Sequence, residues 1–173
     1  MLEWSEGDLA NVILHEMTHA TVFRKDELQF NENLAVFIGD NASLYYIKQK
    51  YGKDSGQYRE YEMSLHDEKL FAIYMVKCAN ELKNLYNSFN YDMNDMDKDD
   101  LKQALIKKLM QDIKKQPFRN KKLYNSISDK IPNNAFFAGY LTYHEDLSKF
   151  ESEFKYKFNS DFKRYVQHLK KDN

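Results

Sequence analysis

Five glycines and two prolines are spread over 173 residues, so the chain holds almost none of the residues that interrupt a helix. Its apolar residues recur three and four positions apart, and no stretch alternates convincingly enough to read as a strand. The fold class expected is therefore all-α, as one helical domain over residues 1–173. Tyr (13) and Phe (12) are abundant, and the aromatic-rich helices read either as a dimer face or as a surface for an upstream segment, which composition does not separate.

The first helix is expected over "SEGDLANVILHEMTHATVF", with Ser5 as cap and Asp8 as the capping-box acid. Leu9, Val12, Ile13, Met17 and Ala20 form its apolar stripe. The polar "RKDELQ" breaks that pattern, and a second helix runs from about Phe30 to Tyr51, stopped by Gly52. Leu34, Phe37, Ile38, Ala42 and Tyr45 make its stripe, and the two helices form an αα-hairpin. A long amphipathic stretch from about Gln57 to Phe89 leads to the Asn/Asp-rich "NYDMNDMDKDD", read as a loop. The helix "DLKQALIKKLMQDIKK" follows and Pro117 closes it; "FRNKKLYNSISDKIPNN" is the least regular region. The tail reads as two helices with a cap at Asn159–Ser160 between them.

The chemistry concentrates at "HEMTH". On a helix, His15 and His19 share one face one turn apart, and both imidazoles can reach one metal ion. A catalytic zinc takes three protein ligands and leaves a position for water, which a neighbouring carboxylate can deprotonate. Glu16 has that place, and the pattern His-Glu-x-x-His carries this mechanism. Two histidines and a glutamate inside an apolar helix are also costly to bury without a metal or other partners.

The third ligand sets the type of site. A metzincin needs Gly and His three and six residues after His19, where this chain has Val22 and Lys25. If helix one runs about five residues past His19, roughly 7–8 Å, the chain returns to the level of the histidines about one turn into helix two. That position is Glu32; Asp26 and Glu27 fall in the turn.

The segment "VILHEMTHATVFRKDELQFNENLAVFIGDNA" resembles the gluzincin-type metallopeptidases, specifically a bacterial family of predicted aminopeptidases. The matching features are His15-Glu16-Met17-Thr18-His19, Phe30-Asn31-Glu32 and Ala35-Val36-Phe37. A second block, Asn133-Asn134-Ala135, Thr142-Tyr143-His144 and Phe150, is similar to the family's C-terminal part. The resemblance implies a Zn2+ site of His15, His19 and Glu32, with Glu16 as general base and acid acting on a peptide substrate. It implies Tyr143 and His144 as donors to the developing oxyanion, though Tyr143 also reads as one more aromatic packing residue. Asn133 and Asn134 read either as substrate-binding or as caps of the following helix. Many gluzincins carry an acid four residues after the zinc-binding Glu, where this chain has Val36; Asn31 and Asp40 are the substitutes for that orienting role. His66 and His168 are given no role.

The rival reading is a helical binding module, or a catalytically silent relative that keeps its metal for structure. In the resembling family more sequence precedes the motif helix, sometimes with a lipoprotein-type leader. A start so close to the motif reads as a fragment, with an upstream segment, β-containing in such peptidases, that would pack on the helices and complete the substrate cleft. Cell-envelope association would follow from such a leader; the residues themselves fix no compartment. No apolar run approaches the 18 residues of a membrane span. Net charge is −1 and the lysines are matched by acids along helices, which argues against nucleic-acid binding. The single Cys78, within "AIYMVKCANEL", excludes a disulfide framework and reads as a small buried apolar residue.

Overall fold

The computed structural model describes residues 5–129, 132–144 and 147–170, without the side chains of 142–144. These residues form α1 (Glu6–His19), α2 (Leu28–Tyr51), α3 (Gly56–Asn87), α4 (Asp95–Asp112), a 3-10 turn (Ile113–Lys115), α5 (Lys121–Ile127), α6 (Asn134–His144), α7 (Ser148–Phe158) and α8 (Phe162–Leu169), with no strand among them. The all-α expectation holds. No described helix is long and apolar enough to cross a membrane.

The chain divides into two compact units, one from Met1–Leu65 and Thr142–Asn173, the other from His66–Leu141. In the first, α1 and α2 make the expected hairpin. Ser5 and Asp8 close a reciprocal capping box, satisfying backbone N–H groups that the first turn leaves unpaired. Gly52 ends α2 at φ +85°, a backbone region open chiefly to glycine, and its N–H bonds the Lys48 carbonyl. Far from the histidines, the Glu6 carboxylate of α1 takes Lys50, Tyr46 and Tyr51 of α2. Those bonds, Lys50's first, hold the Glu6 carboxyl down at about 2. Beneath the hairpin, Leu34, Phe37 and Ile38 of α2 meet Phe150 of α7 and Tyr165 and Leu169 of α8 in an aromatic core. Phe37 packs edge-on to Tyr165, with ring centroids 5.7 Å apart.

Several expectations shift here. Helix one stops at His19 rather than about five residues later, because Thr18's carbonyl takes the N–H of both Thr21 and Val22 and the chain turns. Val22 is then buried, and Asn31 binds both backbone polar groups of Arg24, pinning the loop to α2. The expected stripe of α1 faces outward: Leu9, Val12, Ile13 and Met17 are exposed, as is Ala20. Helix α1 instead packs through its small and polar positions, Gly7, Asn11 and Thr18. On α2, Leu34, Phe37, Ile38 and Ala42 are buried as expected, but Tyr45 is exposed.

In the second unit, the His66–Asn87 part of α3 packs with α4, the 3-10 turn, α5 and the start of α6 around Phe71, Met75, Cys78, Ile106, Met110, Ile113 and Phe137. Helix α4 begins at Asp95, inside the stretch read as a loop, because Asn94 caps Asp97 and two acids occupy the first turn. The irregular region contains α5, capped by Asn120. In the tail, Asn159 ends α7 at φ +50°, while Asp161 caps α8.

Asp67, almost fully buried, organises the turn before α5. It accepts the backbone N–H of Arg119 at 3.0 Å and of Asn120 at 2.7 Å, with His66 Nδ1 3.2 Å away. Burial pushes the carboxyl up, but the two N–H bonds and His66 outweigh it and hold the group below its ordinary range. A depressed carboxyl stabilises the fold above its unfolded pKa, and that stability is lost as pH falls through the lower folded value. Asp67→Ala is expected to reduce the unfolding free energy by about 2–4 kcal/mol in a denaturant titration, since two backbone donors lose their acceptor. Asp67→Asn should flatten the acid limb of the stability–pH curve. The Cys78 thiol, pushed up to about 11 chiefly by burial, is expected to resist thiol reagents at pH 8 until the chain unfolds.

Candidate metal centre

Helix α1 places His15 and His19 one turn apart, with Nε2 atoms 3.2 Å from each other and rings nearly perpendicular at 81°. Glu32, in the second turn of α2, faces both. Its Oε2 lies 3.8 Å from His15 Nε2 and its Oε1 lies 3.6 Å from His19 Nε2. The three side chains offer ligand atoms that all lie within 4.8 Å of one another; no other group of three or more His, Cys, Asp or Glu among the described residues does so.

These separations fit one metal ion. Four donors about 2.05 Å from a tetrahedral zinc lie roughly 3.3–3.4 Å from each other. The observed 3.2, 3.6 and 3.8 Å bracket that edge, so small side-chain rotations close the site. Two imidazoles and a carboxylate are also a donor set that zinc accepts in sites with an open position. The three side chains are 21%, 24% and 16% exposed, so the centre is only partly buried, more open than the apolar motif helix implies. Solvent and a ligand can reach it.

The remaining expected residues separate clearly. Glu16, next to His15, is exposed. Asn31 is committed to the Arg24 backbone, at 2.9 and 2.7 Å, and so anchors the loop between the two ligand helices. Asp40 accepts a hydrogen bond from Asn11 Nδ2 at 3.0 Å, which ties α2 to α1 one turn before His15. Asn133 and Asn134 belong to the His66–Leu141 unit. There Asn133 accepts the N–H of Phe136 at 3.0 Å, as a cap does, and Asn134 accepts the Tyr86 hydroxyl at 2.8 Å. Tyr143 and His144 lie at the end of α6, and their side chains fall outside the described residues.

The motif does not point to Asn11 or Gly39. A Cβ on Gly39 would stand 2.6 Å from Asn11 Oδ1, so the glycine marks a close approach of α1 and α2. The available signal was a glycine inside a long helix, a position that costs roughly 1 kcal/mol against alanine and asks for a reason.

A family model described as "Putative aminopeptidase" matches residues 1–172. The chain belongs to this family. The match covers both units of this putative aminopeptidase family member, not the metal hairpin alone. No curated protein and no solved structure gives a significant match.

About one zinc per chain is expected in the purified protein by elemental analysis. If His15, His19 and Glu32 hold that ion together, Glu32→Ala and His19→Ala should each release zinc to a chelator that leaves the wild type loaded.

Proposed function

We propose that this family member is a zinc-dependent peptidase of the gluzincin type, with His15, His19 and Glu32 as metal ligands. The observation that carries the reading is the convergence of these three side chains on one point of the hairpin, beside Glu16. Family membership supports peptide hydrolysis as the reaction. A zinc ion held there supplies Lewis acidity to water and to a peptide carbonyl.

Glu16 acts as base and then acid. It takes a proton from the water that attacks the carbonyl carbon and delivers it to the nitrogen as the C–N bond breaks, giving a free carboxylate and a free amine. Its exposed position beside the ligand set leaves it accessible to substrate. Tyr143 and His144 are assigned by resemblance as donors to the carbonyl oxygen as it gains charge. Asn31 and the Asn11–Asp40 pair keep the ligand helices in place.

Glu16→Gln keeps the shape and removes the base. Hydrolysis of a peptide library is expected to fall by about 10²–10⁴-fold while the zinc content stays at the wild-type level. Undiminished hydrolysis in that variant overturns the mechanism. Cleavage that disappears when the peptide N-terminus is acetylated assigns exo-cleavage; equal cleavage of both forms assigns an endopeptidase.

A further inference from the structure

We propose that Gly39, Asn11 and Asp40 are positioning residues of the metal centre, setting the α1–α2 separation at which His15, His19 and Glu32 can share one ion. The inference rests on the metallopeptidase reading above and concerns what holds its ligands at the required distances.

The two helices run antiparallel, so residues advancing along α1 oppose residues receding along α2. Asn11 lies one turn before His15, about 6 Å along the axis. Gly39 lies two turns after Glu32, and between them Ala35 is fully buried on the same side of α2. Glu32 thus shares one side of α2 with two small residues, and at Gly39 that side meets α1.

The contact at Gly39 leaves no slack. An added Cβ would meet Asn11 Oδ1 at 2.6 Å and the Asn11 backbone carbonyl at 3.3 Å. The side-chain amide cannot simply swing aside, because its Nδ2 is bonded to Asp40 Oδ1 at 3.0 Å. The carbonyl is fixed in the helix ladder. A methyl group at position 39 must therefore push α1 off α2 by several tenths of an ångström. A helix is stiff over one turn, so the displacement reaches His15.

The metal centre responds to movements of that size. Ligand distances must hold within about 0.2 Å. The two edges that span the helices, His15–Glu32 at 3.8 Å and His19–Glu32 at 3.6 Å, are already the long ones. The His15–His19 edge lies within α1 and is indifferent to helix separation. Widening the hairpin withdraws Glu32 and leaves a two-histidine site.

The test is Co2+ binding to the full chain, read by its visible d–d absorption and by competition with a chelator, with thermal unfolding recorded for each variant. Gly39→Ala is expected to bind Co2+ at least about tenfold more weakly, with an altered spectrum. Asn11→Asp faces Asp40 with a second carboxylate and should weaken binding too. The exchanged pair, Asn11→Asp with Asp40→Asn, restores one donor opposite one acceptor and should recover most of the loss. Gly7→Ala is the packing control, since its Cβ would strike the Tyr61 ring two turns from His15. It should lower the unfolding temperature and leave the affinity within about twofold of wild type.

Wild-type affinity and spectrum in both Gly39→Ala and Asn11→Asp overturn the proposal. So does a Gly7→Ala variant that loses as much affinity as Gly39→Ala at a similar fall in stability. If Gly39→Ala does not fold, the Asn11/Asp40 exchange decides alone. A wild-type chain that binds no Co2+ overturns the metallopeptidase reading itself, a result distinct from one confined to the variants.

Discussion

Two helices can bring charged and imidazole side chains to one point only if their backbones approach closely, and the α1–α2 hairpin is built on that constraint. Gly39 stands where any side chain would strike Asn11, Gly7 stands where one would strike Tyr61, and Ala35 is fully buried between Glu32 and Gly39. Of these, Gly39 is the one set directly between α1 and α2, whereas the Gly7 contact is with α3. Polar bonds then hold the register that the small residues permit: Glu6 with Lys50, Tyr46 and Tyr51 far from the histidines, Asn11 with Asp40 one turn from His15, and Asn31 with Arg24 at the loop.

Stability and chemistry are assigned to opposite sides of α2. One side meets α1 with small residues and Glu32; the other buries Leu34, Phe37 and Ile38 among the aromatic rings of α7 and α8. Each such aromatic pair adds about 0.5–1.5 kcal/mol beyond its burial, enough to offset the unfavourable glycine in the α2 interior. The site helix itself contributes little apolar burial. Its large residues Leu9, Val12, Ile13 and Met17 are exposed, and α1 is held by capping, small-residue contact and hydrogen bonds.

Exposure of the centre follows from the same arrangement. A fully buried trio of two imidazoles and a carboxylate would strongly disfavour the charged states without a metal. Here each group keeps some contact with solvent, so the hairpin tolerates the trio while leaving it reachable. Two almost fully buried polar groups carry structural weight instead: Asn31, bonded to the Arg24 backbone, and Asp67, which takes two backbone donors at the turn before α5.

Much of this was legible in the residues. Scarce glycine and proline with helical periodicity determined the fold class, because helix formation is a local property. The capping box at Ser5, the stop at Gly52 and the reversal at Asn159 were readable for the same reason, each depending on a few neighbouring residues. So was the pairing of His15 with His19, which one helical turn fixes. Glu32 was reachable through hairpin geometry even though α1 ends earlier than its pattern suggests, because shortening the helix and lengthening the loop left the return level almost unchanged. Only the tertiary structure decided which face of α1 is inside. Periodicity marks an apolar stripe but cannot say what covers it, and here contact with α2 selected the small, polar face instead. The roles of Gly39, Asn11, Asn31 and Asp40 were likewise decided in three dimensions, since each depends on a partner brought near by packing rather than by position in the chain.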